Sequence, residues 1–305
     1  MSLIGHMASE LLLTPEFIGA VSRSASRRYK SYQIDKRDGG KRLIHHPSRE
    51  LKALQRWMLS TVISSWPIHE AATAYHPNGS IKKNISPHLK NRYLLKLDFQ
   101  DFFPSITAAD LRTYLSAGVS DQLGWAEPDI KVFLSIVCRN EQLTIGAPTS
   151  PALSNAVCFE LDTKLAQWAT KHGASYTRYA DDISLSCNTP NVLKDGVSAV
   201  EEIIKSIEAP KGLVLNTKKT RNLSKKNRRV VTGLIITDEA TVSIGRETKR
   251  KIRALIHKFE ELSETERQSL AGLLAHAFDV EPDLLNRLTI KYGHALVQRA
   301  RRAGA

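Results

Sequence analysis

Residues Tyr179 to Ser186 read YADDISLS, inside the longer run ASYTRYADDISLSCN that begins at Ala174. Neighbouring side chains on a strand point to opposite faces, and Asp is depleted from strands. A bare Asp181-Asp182 pair in such a segment therefore costs stability unless it occupies a tight turn or meets a positive charge. The run predicts a β-hairpin with the acidic pair at its bend.

A second carboxylate has similar surroundings. In YLLKLDFQDFFPSI (93–106), Leu94, Leu95 and Leu97 give a buried-strand signature that leads into Asp98, and Phe102-Phe103 follow. Two strand-borne acidic sites are an odd core decoration but a good cradle for divalent cations. Mg²⁺ binds through one or two carboxylates and fills its other positions with water and phosphate. Phosphoryl transfer asks a protein mainly to position reactants and neutralise charge, which two ions about 4 Å apart accomplish. Without a cation, gathered carboxylates raise one another's pKa. An Asp-Asp pair alone could equally cap a surface hairpin. The Gly/Pro loop IGAPTSP (145–151), suited to close backbone approach, and the cations of NTKKT (216–220) turn the reading towards a site.

The bulk composition agrees. The chain has 305 residues, 42% hydrophobic, enough to bury a substantial core. Its 44 Lys and Arg against 31 Asp and Glu give a formal charge of +13, with no like-charge tail to account for it, which favours a polyanionic partner, nucleic acid first. A generally basic solvated surface is the alternative. Cys138, Cys158 and Cys187 are isolated, so neither a zinc site nor a disulfide framework is expected, and a reducing cytoplasm suits them. No apolar run approaches a membrane span and no export signal opens the chain.

Along the chain, a helical start to about Arg28 precedes a basic hairpin turning at Asp38-Gly39-Gly40. A helix follows over LKALQRWMLSTVISSW, then an irregular stretch from Ile68 to Lys90. Helices are expected for ITAADLRTYLSAG, PDIKVFLSIVCRN and, from a Ser150-Pro151 cap, SPALSNAVCFELDTKLAQWATKHG. KGLVLNTKKTRNLSKKNRRVVTGLIIT reads as strand, basic loop, strand, and three further helices close the chain.

Taken together, these motifs resemble the reverse transcriptases, and within them the bacterial retron type. LKLDFQDFFPSI is similar to the motif with the first catalytic aspartate, GAPTSPALSN to the template and nucleotide loop, YADD to the catalytic turn and GLVLNTKKT to the motif whose lysine faces the triphosphate. The resemblance runs from about Tyr32 to Tyr292 with the motifs in order. It implies an α+β right-hand polymerase fold, with fingers at 1–92, a palm with an antiparallel sheet and an interleaved fingers segment at 93–242, and a helical thumb at 243–305.

Carried over by position, the resemblance implies that Asp98 and Asp181 hold two Mg²⁺ ions with Asp182 adjacent. Asp101 lies beside the triphosphate, and Phe103 is the bulky gate against a ribose 2′-OH. Lys36 and Arg42 grip phosphates, Lys219 faces the leaving pyrophosphate, and Gly146 leaves room for the base pair. Phe103 could instead be ordinary core, and the three cations solvated surface. Where the family usually has Gln before Gly146, this chain has Ile145, which cannot make that hydrogen bond to the incoming sugar.

Asn84-Ile85-Ser86-Pro87-His88 resembles the retron NAxxH element, with Ile85 for Ala, and Val231-Thr232-Gly233 the VTG element that meets structured RNA. Asn84, His88, Thr232 and Gly233 are therefore expected to bind RNA. Asn84 could also be a turn residue and His88 a core or surface one. Lys225, Lys226, Arg228 and Arg229 in the basic loop, and Arg250 in the helix GRETKRKIRALIHK, are expected to meet RNA phosphates. A solvated helix face is the alternative for the last. The implied partners are a structured non-coding RNA serving as template and primer, dNTPs, the RNA–DNA duplex, the single-stranded DNA product and a separate effector protein in anti-phage defence. Competing readings are another bacterial reverse transcriptase, of abortive-infection or group II intron-like type, and a non-catalytic RNA-binding scaffold.

Overall fold

The structure, a computed structural model, describes residues 2–35 and 39–303. Among them, nine strands form three antiparallel sheets. Strands β1 (Tyr29–Asp35) and β2 (Lys41–Pro47) make the basic hairpin, with Ile34 opposite Arg42. The expected turn residue Asp38, and Lys36, lie outside the described residues.

The central sheet has the order β4-β5-β3-β6, built from β3 (Tyr93–Asp98), β4 (Ala174–Tyr179), β5 (Asp182–Cys187) and β6 (Arg221–Ser224). Because side chains alternate along β3, Leu95 and Leu97 enter one face and Leu94, Lys96 and Asp98 share the other. Leu95 and Leu97 join the main core with Leu51, Phe133 and Leu161, and Leu94 joins a second core with Ile85, Val231, Ile252 and Leu274. The sheet is thus buried on both sides, and Asp98 emerges at the end of a strand that packing holds rigidly. Strands β7 (Arg229–Val231), β8 (Leu234–Ile236) and β9 (Val242–Ser243) form the third sheet.

Several elements differ from the sequence reading. The expected strand over Lys211–Asn216 reduces to one bridge, Leu215 to Phe99, and the expected basic loop instead contains β6, which pairs with β3 from Lys96↔Arg221 to Tyr93↔Ser224. Four of those residues are enough to satisfy the open edge of β3, which charge patterning does not reveal. The long helix from Ser150 is two, Ser150–Val157 and Phe159–Lys171, meeting at Cys158. Its N-cap is Thr149, while Ser150 Oγ accepts from Thr144 N at 3.2 Å. The first helix also divides, into Leu3–Leu11 and Pro15–Arg23, because Leu12 turns left-handed and Thr14-Pro15 caps a new start. Four helices, Arg246–His257, Glu264–Val280, Pro282–Tyr292 and His294–Arg302, complete the chain around the second core.

Candidate active site

The YADD segment is a hairpin, and it also meets cations. Tyr179 pairs with Asp182, so Ala180-Asp181 is a two-residue turn between β4 and β5. Ala180 has φ 58°. A positive φ at the first turn position suits the right-handed twist of the flanking strands, but a residue with a Cβ adopts it at a cost of about 1–2 kcal/mol. Neighbours hold it there. Arg178 Nη1 donates to the Ala180 carbonyl at 3.1 Å, and Phe99 N donates to the Asp181 carbonyl at 3.1 Å. The Arg178 guanidinium is wholly buried and anchored on Asp162, to which Nε and Nη2 donate at 2.7 and 2.6 Å. Tyr176 Oη donates to the same carboxylate at 2.6 Å.

Asp98 faces Asp182 across the β3–β5 ladder. Its carbonyl accepts from Asn216 N at 2.7 Å, which brings the NTKKT turn against the strand. Lys219 Nζ then donates to both carboxylate oxygens of Asp98, each at 2.9 Å. Burial, and next the charge of Asp98, pushes the Asp181 carboxyl above its ordinary value, with Lys219 and Arg42 pulling the other way. Burial also raises Asp182, opposed first by Lys96. Burial alone would lower Lys219, yet its hydrogen bond to Asp98 and the nearby carboxylates raise it, so it stays cationic.

Among the described residues no three His, Cys, Asp or Glu side chains converge as a ready-made metal cage. Mg²⁺ does not require one, since water and phosphate complete a site begun by one or two carboxylates. Lys219 Nζ already gives Asp98 a positive partner, and the available donors, all carboxylate oxygens, fit a hard divalent ion.

Around these carboxylates lie the expected nucleotide contacts. Arg42 is exposed on β2, and its charge reaches Asp181. Asp101 is exposed with φ 42°, its carbonyl accepting from Ser105 N at 2.9 Å. Phe103 is half-buried, its ring centroid 5.5 Å from Phe102 and 6.2 Å from Tyr75. Gly146 has a duty other than the expected clearance for a base pair. At φ 111°, a Cβ there would lie 2.5 Å from the His45 carbonyl, so what it makes room for is the backbone of β2. His45 N donates to the Ile145 carbonyl at 2.8 Å, and the two contacts seat the basic hairpin on the loop.

The expected RNA contacts divide. Lys225, Lys226, Arg228 and Arg250 are exposed. Asn84, His88 and Arg229 are not, with only 1%, 1% and 2% of their surfaces accessible. His88 Nδ1 and Nε2 bond Ser186 Oγ and Thr177 Oγ1 at 2.6 and 2.8 Å, and burial lowers its pKa to about 4. Arg229 donates to the carbonyls of Asn91 and Thr237. These three are corrected from surface contacts to internal braces, a difference that a run such as KKNRR cannot express. Thr232 and Gly233, at φ 46° and 82°, form the two-residue turn between β7 and β8. Asn84 Nδ2 reaches Thr232 Oγ1 at 3.4 Å, so the NxxxH and VTG elements touch.

Two features escaped the sequence reading. Tyr75, in a stretch read as irregular, lies 6.5 Å from Tyr179 as well as beside Phe103. A cleft of about 850 Å³ at the root of the β1–β2 hairpin is lined by Arg27, Arg28, Lys30, Arg49, Lys52 and Arg56, which are scattered in sequence.

A strand-end aspartate, an acidic hairpin turn and a cation-bearing turn on one antiparallel sheet define a nucleotide polymerase of the right-hand fold. A family model described as reverse transcriptase (RNA-dependent DNA polymerase) matches residues 34–259. The fold is shared with telomerase from Candida albicans, solved in complex with a TWJ fragment of telomeric RNA, at TM-score 0.52 and 13% identity over 93% of this chain and 58% of that one. Among curated proteins, the retron Ec86 reverse transcriptase of Escherichia coli is 33% identical over 99% of this chain and 94% of its own length. The retron Mx65 reverse transcriptase of Myxococcus xanthus is 36% identical over 87% of this chain and 64% of its own. The retron Ec73 reverse transcriptase of Escherichia coli is 34% identical, covering 96% and 95%. The chain belongs to the reverse transcriptases, RNA-directed DNA polymerases, and within them to the retron type. Among the described residues no helix is long and apolar enough to cross a membrane.

Proposed function

We propose that this enzyme copies part of a bound structured non-coding RNA into single-stranded DNA, starting from an RNA 2′-OH, so that the product is a branched RNA–DNA molecule. The observation that carries the catalytic part is that Asp98, Asp181 and Asp182 sit at the same end of the central sheet, with Lys219 Nζ on Asp98. Kinship with retron enzymes over nearly the whole chain supports the template and product. The same kinship supports a separate effector protein and a role in defence against phage.

In this reading residues 1–92 act as fingers, 93–242 as palm and 243–305 as thumb. Asp98 and Asp181, with Asp182 beside them, would hold two Mg²⁺ ions, which would supply neutralisation of charge on the attacking and leaving oxygens. The primer hydroxyl oxygen bonds to the α-phosphorus of a dNTP, the bond to pyrophosphate breaks, and the hydroxyl proton passes to solvent water. Lys219 leaves Asp98 to meet the departing pyrophosphate, whose growing charge an ammonium stabilises. Arg42, with Lys36, grips the triphosphate, Asp101 lies beside it, and Phe103 stands against the 2′ position of the sugar. The basic cleft, together with Lys225, Lys226, Arg228 and Arg250, holds RNA phosphates. Thr232 and Gly233 meet the structured RNA, and Asn84 and His88 support them from beneath.

Incorporation of dNTPs on an RNA template with a DNA primer tests the catalytic reading. It should require a divalent cation and disappear in Asp181→Ala. Incorporation that persists in Asp181→Ala, or in excess chelator, would overturn it.

A further inference from the structure

Tyr75 breaks two local rules. It is an aromatic residue left 45% exposed, and its backbone sits at φ 63°, a conformation that bulky residues rarely adopt. Strain of this kind persists only where the surroundings fix it, and such residues cluster at functional sites. Here the fixing contacts come from both sides of the active site. Asn155 Nδ2, from the helix Ser150–Val157, donates to the Ala74 carbonyl at 2.8 Å. Thr73 N donates to the carbonyl of Arg178 at 2.8 Å, on the strand that leads into the catalytic turn. The chain is therefore pinned on the two residues before Tyr75.

Its ring lies between Phe103, at 6.2 Å, and Tyr179, at 6.5 Å, tilted about 40° to each (42° and 41°). Both separations are within the range for favourable aromatic pairs. Behind Phe103, Phe102 packs at 5.5 Å. Phe103 thus has two aromatic neighbours, one buried and one held by a strained backbone. The charges of Asp181 and Arg42 both act on the Tyr75 phenol, so the ring borders the space between the carboxylates and the basic hairpin.

We propose that Tyr75 is a positioning residue for sugar selection, buttressing Phe103 so that its ring cannot swing away from an incoming 2′-OH. This rests on Phe103 being the gate. Without Tyr75 the gate has room to rotate, and a ribonucleotide is admitted with little effect on the deoxynucleotide. The hydroxyl has no part in this, only the ring.

The test is single-nucleotide incorporation by the full-length protein on an RNA template and DNA primer, measuring kcat/KM for a dNTP and the matching rNTP. Tyr75→Ala should cut dNTP-over-rNTP selection by about tenfold, through a gain for the rNTP. Tyr75→Phe should retain selection, and Tyr75→Leu should fall between. Adding Tyr75→Ala to Phe103→Ala should change selection no further. Equal losses for both nucleotides, unchanged selection in Tyr75→Ala, or a Tyr75→Phe variant as lax as Tyr75→Ala would overturn the proposal. If Phe103→Ala itself keeps selection, the gate reading is what fails, and the buttress falls with it.

Discussion

Arg178 donates to the carbonyl of Ala180, and this one contact ties a wholly buried charge pair to the strained residue of the Ala180-Asp181 turn. Removing one partner of a buried pair leaves the other charge uncompensated, a loss of about 3–5 kcal/mol. Asp162→Ala should therefore lower unfolding stability by that order in urea titration. Arg178→Lys keeps a charge but cannot reach Asp162 in two places and Ala180 in a third. Its kcat should fall well beyond what the loss of folded protein explains, and wild-type kcat per folded molecule would contradict this role.

Lys219 neutralises Asp98 through both carboxylate oxygens. Lys219→Ala should lower kcat for dNTP incorporation on the order of a hundredfold, as loss of a donor at a developing charge does elsewhere. A change confined to KM would place Lys219 in binding alone.

Asp181 and Asp182 are a stability burden in the absence of metal. Asp181 and Asp182 have raised values in the fold, so folding holds their protons more tightly than the unfolded chain does. Their contribution is least harmful in acid and worsens as pH rises from the ordinary carboxylate range through the raised native values. At neutral pH in chelator, Asp181→Asn should raise the melting temperature while abolishing incorporation. Mg²⁺ should stabilise the wild type more than the variant in thermal melts.

His88 works in the opposite direction. Its native pKa of about 4 lies below the usual 6.5, so its stabilising contribution is complete above 6.5 and is lost as pH falls towards 4. The loss amounts to about 3 kcal/mol across that window. Urea unfolding at both ends should show a shallower acid decline for His88→Gln than for the wild type.

Gly146 is where the basic β1–β2 hairpin meets the Gly/Pro loop 145–151. Gly146→Ala would place a Cβ 2.5 Å from the His45 carbonyl at a φ of 111°, so β2 must shift, and Arg42 with it. KM for dNTPs should rise several-fold while primer-template binding, measured by fluorescence anisotropy, holds.

The sequence made the acidic hairpin legible because alternation and residue type conflict at Asp181-Asp182, and a turn resolves the conflict. Asp98 was legible from the apolar run before it. Less visible was anything set by long-range contact. The β6 strand is four mostly polar residues that exist to pair the edge of β3. Arg229 looks like its basic neighbours until two carbonyls enclose it. Gly146 answers to a backbone about 100 residues earlier in the chain, and Tyr75 to side chains from three separate segments. Burial and approach of this kind leave no local pattern to read.

The most direct measurement of the central claim is to purify the protein from its native host and sequence the nucleic acid it carries, before and after RNase and debranching treatment. A single discrete DNA joined to a structured RNA through a debranchable linkage, and absent from the Asp181→Ala, Asp182→Ala variant, is the expected result. Heterogeneous DNA, or none, from an enzyme that still extends an added primer-template would contradict it.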